Sequence, residues 1–149
     1  GFTIFQFAFI AFSSSTSTYT SSLAGDSCFA NKFADASPQN KKKVSTFIDQ
    51  IFSGGGTYYS TALTKAFAFF QSEPADLDRV ILFMSDGAPS DSASVIMSTQ
   101  IRGNERLNNS VIIMTYGLGS ADFTVLTHMA QNNGAAYGIT KTLGVPDAR

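Results

Sequence analysis

Two short apolar segments that end in glycine turns constrain the fold of this 149-residue chain more than any other feature. The first runs from Arg79 to Met84 and leads into Ser-Asp-Gly, and the second runs from Ser110 to Tyr116 and leads into Gly-Leu-Gly. Helical patterns lie before, between and after them. Strands that alternate with helices in this way predict an α/β fold, with a mostly parallel sheet between two layers of helices.

Four segments carry these helical patterns. We predict helices that begin at a Ser37-Pro38 cap, just after Thr57, at Asp91 and at Asp122. The residues predicted to face inward are Val44, Phe47, Ile48, Ile51 and Phe52 in the first helix, Ala62, Leu63, Ala66, Phe67 and Phe70 in the second, and Phe123, Leu126, Met129 and Ala130 in the fourth. The first helix is predicted to end at Gly54 to Gly56, the second before Pro74, the third at Arg106 and the fourth at Asn133-Gly134. We also expect Gly103 to interrupt the third helix.

The beginning and the end of the chain are predicted to add strands. The first dozen residues contain five Phe and are apolar on both faces, which is typical of a strand covered on both sides. The Ser/Thr-rich residues 13–22 are either a hairpin into an edge strand, anchored by Tyr19 and Leu23, or a polar loop. Residues 136–140, AYGIT, predict a last short strand.

Composition indicates one globular domain over residues 1–149 and excludes several classes of protein. Apolar residues make up 44% of the chain and charged residues 14%, with a net charge of −1. The only basic run is Lys41 to Lys43, so we expect no nucleic-acid partner. No apolar run approaches the roughly 20 residues that a membrane-spanning helix needs. Cys28 is the only cysteine, and Asn108-Asn109-Ser110 is a potential glycosylation sequence.

Two loops carry the candidate site residues. Asp86 follows a strand, and ligands of parallel sheets bind at the carboxyl ends of strands. Its carboxylate could bind a divalent cation, act as an acid–base group or cap its own turn. Thr57 follows three glycines at a helix start, where it could offer a hydroxyl beside backbone amides or serve as a plain N-cap.

Catalytic signals are weak, and we expect no enzyme. His128 is the only histidine and falls in the middle of a predicted helix, away from the strand ends. No histidine lies near Cys28 in the sequence to support a Cys–His pair. The GLGS turn lacks the third glycine of a dinucleotide-binding fingerprint.

Three motifs, GGGTYYSTAL, VILFMSDGAPSD and VIIMTYGLGS followed by LTHMAQNNGAAYGIT, resemble a von Willebrand factor type A domain in order and spacing. Within that superfamily, SCFANKF and NKKKVSTFIDQI resemble the version in alpha-2-delta subunits of voltage-gated calcium channels and in related cache-domain-containing surface proteins. The resemblance covers about residues 7–139. It implies a Rossmann-like three-layer fold that is truncated at its N-terminus.

The resemblance also implies a metal-ion-dependent adhesion site for Mg²⁺ or Ca²⁺, a hard cation that takes oxygen ligands. Thr57 and Asp86 match two of the family's ligands. The family's Asp-x-Ser-x-Ser motif is absent, because Asp35 and Asp91 are followed by sequences that do not fit it. We therefore expect an incomplete site with weak or no metal binding. The family's first strand is also unmatched, which predicts a gap in the sheet and exposed apolar edges that the Phe-rich start could partly fill.

These features lead to a prediction of a non-enzymatic protein-binding module in an extracellular or cell-surface protein. Its partner would bind at the strand ends around Thr57 and Asp86. The alternative is a structural domain that contributes assembly surface to a larger complex and has a vestigial cation site. A small hydrolase or phosphotransfer enzyme that uses Asp86 ranks last, because no matching base or nucleophile accompanies it.

Overall fold

The computed structural model of the chain describes residues 5–18, 32–52 and 54–132. The strands are β1 (Gln6–Phe7), β2 (Ile10–Phe12), β3 (Thr16–Thr18), β4 (Ala34–Asp35), β5 (Arg79–Ser85) and β6 (Val111–Gly117). The helices are α1 (Pro38–Ile48), α2 (Tyr59–Phe70), α3 (Ala93–Glu105) and α4 (Phe123–Gln131). The predictions for Tyr19, Leu23, Cys28, the helix stop at Asn133-Gly134 and the strand over 136–140 lie outside the described residues.

The two strands that constrain the fold form a parallel pair, as predicted. β5 and β6 are in register from Arg79 beside Val111 to Ser85 beside Gly117. On one face of the pair, alternate residues such as Ile81, Phe83 and Ile113 are buried. The helices α2, α3 and α4 cover that face and complete the main core, whose buried members also include Tyr59, Leu63, Phe67, Phe70, Ile96, Leu126 and Met129.

The opposite face of β5 is exposed among the described residues, whereas a sheet between two layers of helices would be covered on both faces. The exposed fractions of Val80, Leu82 and Met84 are 42%, 63% and 56%. Their neighbours on β6, Ile112, Met114 and Tyr116, are half-buried. We call this surface, Val80, Leu82 and Met84, the outer face of β5.

The N-terminal residues form two short strands rather than the single covered strand that we predicted. β1 pairs with β4, and β2 pairs antiparallel with β3, so the hairpin alternative for the Ser/Thr-rich segment is confirmed. Their side chains are at most half-buried, and Phe5 is 74% exposed. Within the described residues β5 pairs only with β6, so the Phe-rich start does not pair with its other edge. Phe12 instead packs its ring 5.2 Å from that of Phe83.

The first helix begins where predicted but ends earlier. Asn40 N donates a hydrogen bond of 3.2 Å to Ser37 Oγ, which confirms the N-cap. After Ile48 the chain tightens into turns in which amides bond carbonyls three residues back, including Ile51 N to Ile48 O at 3.1 Å. The inward positions predicted for Ile48, Ile51 and Phe52 are wrong, since their exposed fractions are 45%, 36% and 95%.

Gly103 lies inside a continuous α3, so the predicted interruption of that helix is wrong. A Cβ atom at Gly103 would overlap the ring of Phe67 on α2. The glycine therefore permits a close approach of two helices that a larger residue would prevent. None of the helices in the described ranges is long and apolar enough to cross a bilayer.

Candidate functional site

The structure brings the two predicted site residues, Thr57 and Asp86, to the same end of the domain. Thr57 lies in the loop that enters α2, and Asp86 follows the last residue of β5. A Cβ atom placed on Gly87 would lie 3.5 Å from Thr57 Oγ1, in ordinary van der Waals contact. We call the surface formed by Thr57, Asp86 and Gly87 the rim.

Ser90 joins the two loops that form the rim. Thr57 N donates to Ser90 Oγ at 2.9 Å, and Ser90 N donates to Thr57 O at 2.7 Å. This reciprocal pair fixes the Gly-Thr loop against the loop that follows β5. The position of Thr57 relative to Asp86 therefore depends on a residue that the sequence motifs did not single out.

Asp91 caps α2 from the other loop. Its Oδ1 accepts a hydrogen bond from Tyr59 N at 3.2 Å, and its Oδ2 accepts one from Ser60 N at 2.7 Å. A carboxylate at this position satisfies two free amides and lies at the positive end of the helix dipole. Tyr58 occupies the N-cap position and makes no capping bond with its side chain. The alternative that Thr57 is a plain N-cap is therefore wrong.

Two further loops meet at the rim. Ser120 Oγ, in the loop after β6, donates to the backbone carbonyl of Asp86 at 2.9 Å. On the other side, Gly56 N donates to Ser14 Oγ at 2.8 Å, and Tyr58 N donates to Ser13 O at 3.1 Å. Loops from four separate parts of the chain thus hold the rim, as expected for a site at the carboxyl ends of parallel strands.

Tyr59 forms the floor beneath these loops. It is fully buried, its ring lies 4.8 Å from that of Phe83, and its hydroxyl donates to Gly87 O at 2.8 Å. Burial raises the pKa of the Tyr59 hydroxyl above its ordinary value, with a smaller opposing effect of hydrogen bonding to Ser85. The negative charges of Asp122, Asp86 and Asp91 raise this pKa further. The phenol therefore stays protonated and keeps its hydrogen bond to the turn.

The rim presents two oxygen-bearing side chains to solvent. The Asp86 side chain is exposed and Thr57 is half-buried, so both oxygens can be reached from solvent. Both carboxylate oxygens of Asp91 are already hydrogen-bonded to α2. No cluster of three or more His, Cys, Asp and Glu side chains suited to a metal occurs within residues 5–18, 32–52 and 54–132. A cation at the rim would take Thr57 and Asp86 as ligands and would need further oxygen ligands, because Mg²⁺ and Ca²⁺ bind about six to eight.

The other residues considered for chemistry lie elsewhere. His128 is exposed in the last turn of α4, beside Thr124, Thr127 and Gln131, rather than at the rim. Gly119 contributes to the rim only through its backbone, with a φ of +53° beside the carbonyl of Asp86. No contact in the described part of the chain joins His128 to Thr57 or Asp86.

A parallel strand pair that carries a loop-built rim at its carboxyl ends defines an α/β domain of the kind that binds ligands at its strand ends. A family model described as the von Willebrand factor type A domain matches residues 15–138, and the chain belongs to this family. Domains of this family are protein-interaction modules.

The fold is similar to that of a solved structure, a von Willebrand factor type A protein from Catenulispora acidiphila. The TM-score is 0.73 at 14% sequence identity. The match covers 97% of this chain and 30% of the other, so the chain spans less than a third of the length of the protein that it matches. This match confirms the α/β fold class.

Proposed function

We propose that this domain is a non-enzymatic module that binds a protein partner at the rim, in an extracellular or cell-surface protein. One observation carries the proposal: loops from four parts of the chain hold the Thr57 hydroxyl beside the turn of Asp86 and leave both side chains accessible. A surface fixed in this way loses little conformational freedom on binding, which favours recognition. The resemblance to alpha-2-delta subunits supports the extracellular location.

A divalent cation fits this proposal as a weak ligand of the rim. Asp86 supplies a negative charge and Thr57 a neutral oxygen, and a carboxylate from the protein partner would complete the coordination. Mg²⁺ or Ca²⁺ would then bind more tightly in the presence of the partner than in its absence. The domain alone is expected to bind either cation weakly.

Calorimetric titration with Mg²⁺ and with Ca²⁺ tests the cation part of the proposal. The native chain should release or take up more heat than Asp86→Ala, whereas Asp76→Ala should behave as the native chain does. Asp76 is a suitable control because it is an exposed aspartate in the loop before β5, at the opposite end of that strand. Identical heats from the native chain and Asp86→Ala would refute the cation site and leave the fold untouched.

A photo-crosslinking residue tests protein binding at the rim. Ala88 is exposed in the turn after Asp86, and Asp76 provides the same substitution at the other end of the sheet. The crosslinking residue is placed in the full-length protein, in the cells that normally produce it. At position 88 it should capture a protein, and at position 76 it should not. Equal capture at the two positions, or capture at 76 alone, would contradict recognition at the rim.

A second candidate function is assembly, and the outer face of β5 favours it. Val80, Leu82 and Met84 are exposed, and within the described residues the edge of β5 away from β6 has no strand partner. An apolar extended segment of another polypeptide would pair with that edge and cover the adjacent apolar side chains. In this case the rim would have no role in binding.

Matched charge substitutions separate assembly from recognition at the rim. Leu82→Lys places a charge on the outer face, and Ile101→Lys places the same charge on α3, where the native side chain is 46% exposed. Assembly through β5 predicts that Leu82→Lys abolishes complex formation while Ile101→Lys and Asp86→Ala do not. If Asp86→Ala abolishes it and Leu82→Lys does not, the rim carries the function.

A further inference from the structure

Asn108 begins the chain's single Asn-x-Ser/Thr sequence, Asn108-Asn109-Ser110, which is the acceptor pattern for N-linked glycosylation. The rim does not use these residues. They form the turn between α3 and β6, which places them at the opposite end of β6 from the rim.

The turn presents Asn108 to solvent without using its side chain to hold the fold. Asn108 and Asn109 are exposed and share a φ of 55°, a left-handed conformation that asparagine tolerates. Backbone bonds hold the turn, with Asn108 N donating to Glu105 O at 3.1 Å and Asn109 N donating to Asn104 O at 2.8 Å. A group attached to the Asn108 amide would therefore extend into solvent.

Asn104 shows the contrasting case within the same turn of chain. It is 2% exposed, and its amide binds both Val111 N and Val111 O, at 2.9 and 3.1 Å. Substituting or modifying Asn104 would break the start of β6. The Asn108 side chain makes no such hydrogen bonds among the described residues, so the fold tolerates a large substituent there.

The Ser110 hydroxyl, which stands at the third position of the acceptor sequence, also has a structural role. Its Oγ donates to Leu107 O and accepts from Arg79 Nη1, both at 2.7 Å. Loss of this hydroxyl would disturb the buried Arg79 side chain. A test that removes the acceptor sequence should therefore change Asn108 and not Ser110.

The distance from the rim is large. β6 is seven residues long. At about 3.3 Å per residue, the turn lies roughly 20 Å from the rim along the strand. A bulky sugar on Asn108 would shield the far end of the sheet and leave Thr57 and Asp86 accessible.

We propose that Asn108 carries an N-linked oligosaccharide. In the transfer, Asn108 Nδ2 forms a bond to the anomeric carbon of an oligosaccharide carried on a lipid pyrophosphate. The bond between that carbon and the pyrophosphate oxygen breaks, the lipid pyrophosphate leaves with the electron pair, and Nδ2 gives up one proton. This inference rests on the extracellular location in the proposed function, because the transfer requires passage through the secretory route.

The full-length protein, expressed in a eukaryotic cell line, tests this inference by mass spectrometry. The peptide containing Asn108 should carry one oligosaccharide, and an amidase that removes N-linked sugars from the native protein should leave Asp at position 108. Asn108→Gln should abolish the modification. Asn109→Gln is the matched control, since Asn109 shares the exposure and the φ but starts no acceptor sequence. Ser110→Thr should retain both the sugar and the bond to Arg79.

An unmodified Asn108 in the native protein would overturn the inference, and so would a sugar that persists in Asn108→Gln. Neither outcome bears on the cation titration or on crosslinking at position 88. Failure of the rim to bind would in turn leave the sugar on Asn108 unaffected. Failure of binding at the rim and an unmodified Asn108 are therefore separate outcomes, whereas a protein found outside the secretory route would contradict the extracellular location and this inference together.

Discussion

Replacement of Asp91 by alanine should destabilise the domain through the loss of one cap that spans two loops. The carboxylate accepts hydrogen bonds from two amides of α2, Tyr59 N at 3.2 Å and Ser60 N at 2.7 Å. Both amides would lose the side-chain acceptor that the structure shows for them, and the negative charge would leave the positive end of the helix dipole. The loss of the two hydrogen bonds alone should lower the free energy of unfolding by more than an ordinary surface substitution does.

The magnitude follows from these two effects. Loss of an N-cap costs about 0.5–2 kcal/mol, and loss of a charge at a helix N-terminus costs about 0.3–1 kcal/mol. Asp91 is half-buried, so we take about 2 kcal/mol as the expected decrease in the free energy of unfolding. For a domain of this size each kcal/mol shifts Tm by about 2–4 °C, so Tm should fall by roughly 4–8 °C.

Thermal and urea unfolding of three variants provide the assay. Asp91→Ala should show the full decrease, and Asp91→Asn about half of it, because the amide oxygen replaces one acceptor without the charge. Asp76→Ala should stay within about 0.5 kcal/mol of the native chain, as exposed substitutions usually do. If Asp91→Ala is no more destabilising than Asp76→Ala, the cap does not contribute as inferred and the rim is not held by it.

Two further substitutions test packing in the core. Gly103→Ala should destabilise the domain by about 1–3 kcal/mol in urea unfolding, because the added methyl group would overlap the Phe67 ring. Helix propensity alone predicts the opposite, so a variant more stable than the native chain would contradict this packing argument. The free energy of unfolding of the native chain should fall as the pH rises above about 10. Burial is the main reason that the pKa of Tyr59 is raised in the folded state, so the unfolded chain loses this proton at a lower pH than the folded chain does. Tyr59→Phe should flatten that alkaline decrease, and an unchanged pH profile would show that another group causes it.

The local features of the fold were predictable because their signals lie close together in the sequence. The Ser37-Pro38 cap and the two glycine turns after the apolar strands each occupy a few neighbouring residues. The convergence of Thr57 and Asp86 was predicted from the resemblance to the von Willebrand factor type A domain, because both positions match ligands of that family's cation site. For Asp86 alone, its place after a predicted parallel strand indicated the carboxyl-end edge of the sheet.

The features that were missed depend on residues distant in sequence. Asp91 caps a helix that begins 32 residues earlier, and no local pattern marks it. The sequence around Gly103 predicts a break in its helix. The contact with Phe67 shows instead that this glycine allows α2 and α3 to pack closely. The VILFM segment is apolar at every position, so the sequence does not show which face of the strand is covered.

The rim and the outer face of β5 should behave as independent surfaces, and this can be measured. The bonds that hold the rim run between loops and to Tyr59 on the buried side, and none of them involves Val80, Leu82 or Met84. Mutations without shared partners add within about 0.5 kcal/mol. The double variant Asp91→Ala/Leu82→Lys should therefore lose the sum of the two single effects on the free energy of unfolding. An interaction energy well above that limit would mean that the outer face supports the rim, and the recognition and assembly functions could then not be separated by mutation.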